Sequence, residues 1–321
     1  MLMKAIVCTK YGKADVLKLV EIAKPTPKNK QVLIKIMATT VTAGDCEIRS
    51  LRFNLFIKLI LKLLMIFKRM ILGMELSGEI VEVGSKVTLF KVGDKVIAAP
   101  GFNTYAQYIS MDEAGPIAIK PENLSHEEAA TISVGGITAL YLMRKAIISP
   151  KDKVLIYGAS GSIGAVAIQL AKDYGATVTA VCSSSNFELV KSLGADEVID
   201  YTKEDYTKKG VVYDLIFDVL GKSSFNKNVN ILTKNGYYLL GSPKFTESLR
   251  GFWVSMTTGK TVISTFALHD AEKLQFLANV HKLGKVKPVI DRTYSLDDIV
   301  SAHLYVEKGH KKGNVVITVS H

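Results

Sequence analysis

The residues best spaced for chemistry lie in VLIYGASGSIGAVAIQLAKDYGATVTAVCSSSN, residues 154–186. Gly158, Gly161 and Gly164 make G-x-x-G-x-x-G directly after an apolar run and at the opening of a helix-like one. Glycines so placed allow a tight turn and let the backbone approach a pyrophosphate, which then rests at the positive helix N-terminus. A glycine triplet alone is a weak signal. Here a strand pattern precedes it, an amphipathic helix pattern follows, and a second strand pattern ends at Cys182, which is the context the motif requires. A dinucleotide site is the expectation, against a tight turn that binds nothing.

The end of that second strand bears on which dinucleotide. An acid there takes the ribose 2′-hydroxyl of NAD and repels a 2′-phosphate. The chain instead reads Cys182-Ser183-Ser184-Ser185-Asn186. Hydroxyls and an amide can donate to a phosphate, so the pattern favours NADP. No Arg or Lys is present to strengthen the preference, and a solvated Ser-rich turn that selects nothing is the competing reading.

The elements that must position these residues change character along the chain. KAIVCT, QVLIKIMATTV, LSGEIVEVG, DKVIAAP and YAQYIS are short β-branched runs between Gly, Pro, Asn and Asp, the texture of a small antiparallel barrel. Ser125 followed by Glu128 forms a capping box at the start of a helical stretch. Apolar strands then alternate with helices through KVLIYG, TVTAVC, FELVKSLG, EVID, YDLIFDVL and GYYLLGS, predicting a parallel sheet with helices on both faces. The tail adds a helix at DAEKLQFLANVHKLG, a strand at VKPVI, a helix at SLDDIVSAHLYVEKG and a last strand at NVVITV. Domain boundaries are expected near Pro121 and within 261–269.

A chain of 321 residues suits two domains, and 48% hydrophobic with 22% charged residues is ordinary for an enzyme. The net charge of +11 is compatible with nucleic acid, an anionic membrane or an anionic ligand. Lys and Arg are scattered, which favours an ordinary basic surface with phosphate ligands. Cys8, Cys46 and Cys182 form no CxxC and no disulfide framework, and MLMKAIVCTKYG lacks a signal-peptide apolar core. A reducing cytoplasm is the expectation. None of the six His residues makes a recognised ligand spacing.

Several of these stretches together resemble the medium-chain dehydrogenase/reductase superfamily, in its zinc-independent quinone oxidoreductase and enone reductase branch. VLIYGASGSIGAVAIQLAK resembles the cofactor motif of that branch, LGMELSGEIVEVGSKVTLFKVGDKV its first-domain signature, SVGGITALYLM its interdomain helix and NVVITV its closing strand. The resemblance covers residues 4–319, least typically at 54–71. It implies an α/β fold, a doubly wound Rossmann sheet plus a GroES-like β-barrel domain. The expected division is 1–120 for the GroES-like catalytic domain, 121–262 for the Rossmann domain and 263–321 for a return to the first. Gly158, Ser160, Gly161, Ser162, Ile163 and Gly164 would hold the pyrophosphate. Ser183, Ser184, Asn186 and Tyr201 would surround the adenosine ribose and its phosphate, with Asn186 where relatives often carry Lys. Thr138, Val219, Gly241, Ser242 and Phe266 would line the nicotinamide side.

Zinc-dependent relatives bind the catalytic metal through a first-domain Cys, the His of GHE and a further Cys or acid. Here those positions hold Thr42, Met74 (in Gly73-Met74-Glu75) and a residue at about Val134, and Cys46 is out of register. No metal site is expected. Without a Lewis acid, alcohol oxidation loses its usual means of ionising the hydroxyl. Reduction of an electrophilic carbon needs none, so the expected reaction is hydride transfer from NADPH to a quinone or an α,β-unsaturated carbonyl. Thr42 and Tyr105 are the candidate catalytic donors to the developing oxyanion, although relatives usually carry Asn at the first position and Tyr105 suits the barrel core. Asp45 and Glu75 look like acids but are expected to brace the fold. Two other readings stay open: an NADPH-binding association protein, for lipid, nucleic acid or another protein, and a zinc-free alcohol dehydrogenase. A homodimer is what the resemblance implies.

The stretch LRFNLFIKLILKLLMIFKRMIL, residues 51–72, has five cations and no acids. Its charges interrupt any apolar run long enough to span a bilayer. As a helix it places Asn54, Lys58, Lys62, Lys68 and Arg69 on one stripe and leaves a broad apolar face. The expectation is an apolar lid for bulky hydrophobic acceptors, with peripheral contact to anionic lipid as the alternative.

Overall fold

The computed structural model describes residues 1–51 and 70–321. The lid or lipid-contact segment expected at 51–72 lies, apart from its ends, outside the described residues. At those ends Leu51 caps a helix in the left-handed region, at φ 53°, and Met70–Ile71 is a short strand.

The described residues divide into two compact units, one of 1–134, 269–282 and 288–321, the other of 135–268 and 283–287. In the first unit, β1 (Leu2–Cys8), β2 (Leu17–Ala23), β3 (Gln31–Val41), β4 (Met70–Ile71), β5 (Leu76–Val83), β6 (Lys95–Ala98), β7 (Tyr108–Asp112) and β8 (Ile117–Ile119) accompany α1 (Ala43–Ser50) and α2 (His126–Ala129). The expected YAQYIS strand begins three residues later than predicted, at Tyr108, and runs on to Asp112. Apolar and β-branched residues buried on both faces make β3 the hub: β5, β7 and, from the chain's end, a last strand all pair with it antiparallel. Ile34, Ile36, Leu72, Leu76, Ile80 and Val96 fill the core beneath it.

In the second unit, α3 (Ser133–Met143, whose first two residues belong to the other unit) precedes β9 (Lys153–Tyr157), α4 (Ser162–Asp173), β10 (Thr177–Cys182), α5 (Phe187–Ser192), β11 (Glu197–Asp200), β12 (Tyr213–Asp218), α6 (Phe225–Asn230), β13 (Leu232–Leu240), α7 (Phe245–Thr257) and β14 (Thr261–Ser264). All pairs in its sheet are parallel, in the order β11-β10-β9-β12-β13-β14. That is the doubly wound order, whose crevice opens at the strands' C-terminal ends beside the first strand. The helix after the glycine turn differs from expectation: residues 164–171 of α4 are all buried rather than striped, which its small residues Ala165, Ala167 and Ala171 permit.

The chain then returns to the first unit as α8 (Ala271–Lys282), β15 (Ile290–Ser295), α9 (Ile299–Glu307) and β16 (Asn314–Thr318). The strand predicted at VKPVI begins instead at Ile290 and runs to Ser295. Pro288 has no N–H for a ladder, which sets the start beyond it. In the seven-stranded sheet the path runs β15-β16-β3-β5-β6-β8 with β7 on β3, and a separate three-stranded sheet is ordered β2-β1-β4. A GroES-like first domain and a Rossmann second domain are thus the architecture.

Candidate active site and cofactor site

In the second unit every sheet strand's C-terminal end carries a loop whose residues the sequence singled out. Gly158 follows β9 with φ 83°, and a Cβ there would meet the Leu220 side chain at 2.7 Å. Gly161 is the N-cap of α4, and a Cβ there would meet only Gly158 O, at 3.5 Å. Gly164 lets α4 close on the turn after β9, since a Cβ there would stand 2.7 Å from Ala159 Cα. The N–H groups of Ser162, Ile163 and Gly164 form the first turn of α4, where a helix has no acceptors of its own. Gly158 N–H and Ala159 N–H are spent on Val181 O, at 3.1 and 3.2 Å. The turn is therefore fixed from behind while the helix end presents donors.

After β10, Ser183 Oγ lies 3.1 Å from Ser185 Oγ. Asn186 is buried, and its Nδ2 donates to Ser160 Oγ (3.0 Å) and Ser183 Oγ (3.1 Å). Its Oδ1 has no partner. The amide hydrogens expected for a phosphate thus tie the two loops together, and the remaining acceptor of the side chain is buried with them. Ser184 N–H donates to Asp200 Oδ2 at 3.2 Å, and Tyr201 follows, about half exposed. After β12, Asp218 accepts from Leu220 N (3.0 Å), Gly221 N (2.8 Å) and Ser223, which shapes the loop that carries Val219. After β13, a Cβ on Gly241 would meet Val219 O at 2.9 Å, so these two loops lie in contact. Ser242 is exposed next to Gly241, Thr138 is half-buried on α3, and Phe266 is 76% exposed after β14. The order of loops follows the path a dinucleotide takes along such a sheet. Asp200 and Asp218 were missed by the sequence analysis. Their signal was a carboxylate closing a strand ahead of Thr, Ser and Gly, the composition of turns that bond their own backbone.

In the first unit the candidate acids are closed off. Thr42 caps α1, donating Oγ1–H to Asp45 Oδ2 at 2.6 Å and accepting from Asp45 N–H at 3.1 Å. Asp45 also accepts from Thr42 N–H and Gly73 N–H, both at 2.9 Å. Burial raises its pKa against those donors. Glu75 is buried too, accepting from Thr40 Oγ1 (2.5 Å) and Val134 N–H (2.6 Å), and burial pushes its pKa up to about 7. Tyr105 is fully buried, edge-on to His303 at 5.7 Å, and burial followed by the nearby Asp45 charge holds its phenol well above the ordinary value. The Thr42 proton is thus already given to the Asp45 carboxylate, while the Tyr105 hydroxyl is buried without a hydrogen-bond partner among the described residues.

Two family models match the chain, one described as an alcohol dehydrogenase GroES-like domain over residues 28–152, the other as a zinc-binding dehydrogenase over residues 193–317. The chain is 35% identical to the 2-methylene-furan-3-one reductase of Solanum lycopersicum, over 98% of this chain and 79% of that protein. It is 32% identical to a chloroplast envelope quinone oxidoreductase homolog of Arabidopsis thaliana, over 98% of each. Among solved structures, the quinone oxidoreductase from Coxiella burnetii superposes with a TM-score of 0.90 at 30% identity, covering all of both chains.

Zinc, named in one of those descriptions, can be tested against the residues in hand. Met74 Sδ lies 3.6 Å from Thr42 Oγ1, so the two positions that carry metal ligands in zinc-dependent relatives face each other as a thioether and a hydroxyl. Cys46 Sγ lies 3.4 Å from His303 Nδ1, but burial pushes its thiol up to about 12. Arg49 Nε also approaches the same His303 nitrogen, at 3.3 Å, and a guanidinium there opposes a dication. Among the described residues no group of three or more His, Cys, Asp or Glu could hold a metal ion. The residues do not fit zinc. The chain's relatives, its two domains and its strand order agree on one assignment: the protein belongs to the medium-chain dehydrogenase/reductase superfamily, in its quinone oxidoreductase and enone reductase branch.

Proposed function

We propose that the protein is a zinc-independent NADPH-dependent reductase, passing hydride to a quinone or to the β-carbon of an α,β-unsaturated carbonyl. One observation carries the reading: the second unit keeps a complete glycine turn with outward donors, while the first unit's metal-ligand positions hold Thr42 and Met74. Bound NADPH would supply the hydride. The residues' part is to bind and orient: the first turn of α4 takes the pyrophosphate, Ser183, Ser184, Asn186 and Tyr201 the adenosine end, and Thr138, Val219, Gly241, Ser242 and Phe266 the nicotinamide side. With Thr42 committed to Asp45 and Tyr105 buried, no side chain of the first unit is assigned as general acid, and solvent supplies the proton to the reduced product.

The names of the relatives support both acceptor classes, since one is a furanone reductase and another a quinone oxidoreductase homolog. The test is NADPH consumption with a panel of quinones and enones, alongside titration of NADPH and NADH by fluorescence. Tighter NADPH binding, reversed in Ser183→Asp, supports the cofactor choice. Equal affinities overturn it. Cofactor binding with no turnover of any acceptor would favour the association reading.

The cysteines are unpaired and buried, in keeping with a reducing cytoplasm. Among the described residues no helix is long and apolar enough to cross a membrane. A second copy of the chain is the partner proposed for α7. Phe245, Leu249, Phe252, Trp253 and Met256 recur along it at helical spacing and are 55–80% exposed, and among the described residues β14 beside it pairs only with β13. With about 150–250 Å² for each large aromatic side chain, the stripe approaches the roughly 800 Å² per partner of a standard interface. Trp253→Ser should shift the mass seen by light scattering from dimer to monomer.

A further inference from the structure

The NADPH reading leaves a charge unaccounted for. A 2′-phosphate carries between one and two negative charges, and the loop after β10 has no cation, only Ser183, Ser184, Ser185 and an Asn186 whose amide hydrogens are spent on Ser160 and Ser183. Residues 201–205, directly after β11, hold one, Lys203. Asp200, buried at that strand's end, accepts from Thr202 N–H (2.9 Å) and Thr202 Oγ1 (2.6 Å) through Oδ1. Its Oδ2 takes Ser184 N–H at 3.2 Å and stands 3.8 Å from Lys203 Nζ. One carboxylate oxygen therefore lies between the Ser183–Ser184 backbone and the Lys203 ammonium.

Beside these loops is a cavity of about 390 Å³, lined by Tyr157, Tyr201, Lys203, Lys222, Ser223 and Ser224 among others. Its two acids are already matched: Glu204 pairs with Lys209 at 2.9 Å and Asp205 with Lys227 at 2.7 Å. Lys203 and Lys222 remain. Lys203 is 71% exposed and its contact with Asp200 is long, so the pair is of the kind that contributes little and yields to a better anion. Asp200 does not depend on it, being held by Thr202 and Ser184.

We propose that Lys203, with Lys222 across the same cavity, supplies the positive charge that receives the adenosine 2′-phosphate, so that the preference for NADPH comes from the loops after β11 and β12 rather than from the end of β10. The proposal rests on the NADPH reading above. In it, Asp200 is a positioning residue that ties the two loops together, and Asn186, its amide hydrogens spent on Ser160 and Ser183, does not meet the phosphate.

Fluorescence titration of the full chain with NADPH, NADH, 2′,5′-ADP and 5′-AMP separates the outcomes. Lys203→Ala should weaken NADPH and 2′,5′-ADP by about tenfold, the worth of one charge-assisted contact, and leave NADH and 5′-AMP unchanged. Lys203→Arg should restore most of the loss, and Lys203→Ala with Lys222→Ala should abolish the preference and flatten its dependence on salt. A double variant that keeps the wild-type ratio of NADPH to NADH overturns the proposal while the NADPH reading stands. A wild-type protein with no preference overturns both. Equal loss for all four ligands marks a structural role and also overturns it.

Discussion

Asp45 in the first unit and Asp200 in the second each accept at least three hydrogen bonds, yet they stand in opposite settings. Around Asp45 every partner faces inward: Thr42 caps its own helix, Gly73 is tied down, and Tyr105 is sealed beneath. Around Asp200 the bonds fasten loops whose remaining groups, Ser183, Tyr201 and Lys203, face outward. Residue type does not assign chemistry in either place. What matters is which donors and acceptors remain after the fold has used its share. By that measure the first unit's carboxylates are braces, and the second unit's rim is the machinery we propose for binding.

The contrast is broken most severely at Gly164. A methyl there meets backbone that cannot move aside, and overpacking of this kind costs about 1–3 kcal/mol. Since the displaced turn is the one proposed to close on the pyrophosphate, Gly164→Ala should weaken NADPH by roughly tenfold to a hundredfold, read by fluorescence titration. Unchanged binding would mean the pyrophosphate lies elsewhere.

Asp45→Ala should do the reverse. It leaves the N–H groups of Thr42 and Gly73 without their acceptor, a cost of about 1–3 kcal/mol for each buried group. Denaturant unfolding should show that loss, while NADPH affinity changes by less than about twofold. A cofactor defect as large as the stability defect would erase the distinction between brace and machinery.

A smaller effect comes from two buried groups of opposite sign. Glu75 is raised from 4.5 to about 7, so between those values the folded chain keeps a proton that the unfolded chain has released, and stability falls as pH rises through the window. His303 is lowered from 6.5 to about 3 by burial and then by Arg49, so between those values the unfolded chain binds a proton that the folded chain refuses, and stability falls as pH drops. The slopes oppose each other where the windows overlap. Glu75→Gln should make the protein's stability rise more steeply with pH between 4.5 and 6.5, and His303→Gln should remove part of the loss between 6.5 and 3. Unfolding midpoints across pH check both signs.

How much of this could be read beforehand differs in the same way. The run 31–41 was legible as a strand because a short stretch rich in β-branched and apolar residues between turn residues reports a ladder buried on both faces, and it is β3 to the residue. The glycine turn was legible because backbone conformation restricts its residue types locally. The strand at VKPVI was misplaced because its apolar composition outweighed Pro288, which cannot join a ladder. Residues 245–257 received no element, although Phe245, Leu249, Phe252 and Met256 recur at helical spacing. The pairing of Ser184 with Asp200, and of Arg49 with Glu307 at 2.6 Å, depends on tertiary neighbours that no local pattern reports.

The central claim is that hydride chemistry runs here without a metal, with Thr42 and Met74 where metal ligands stand in zinc-dependent relatives and Asp45 as a brace. The direct measurement is quinone and enone reduction by NADPH on protein dialysed against a strong chelator, with its metal content determined in the same sample. Full activity at below about a tenth of an equivalent of zinc per chain is the predicted result, as expected where the ligand set is missing. Activity lost on chelation and restored by zinc would contradict it.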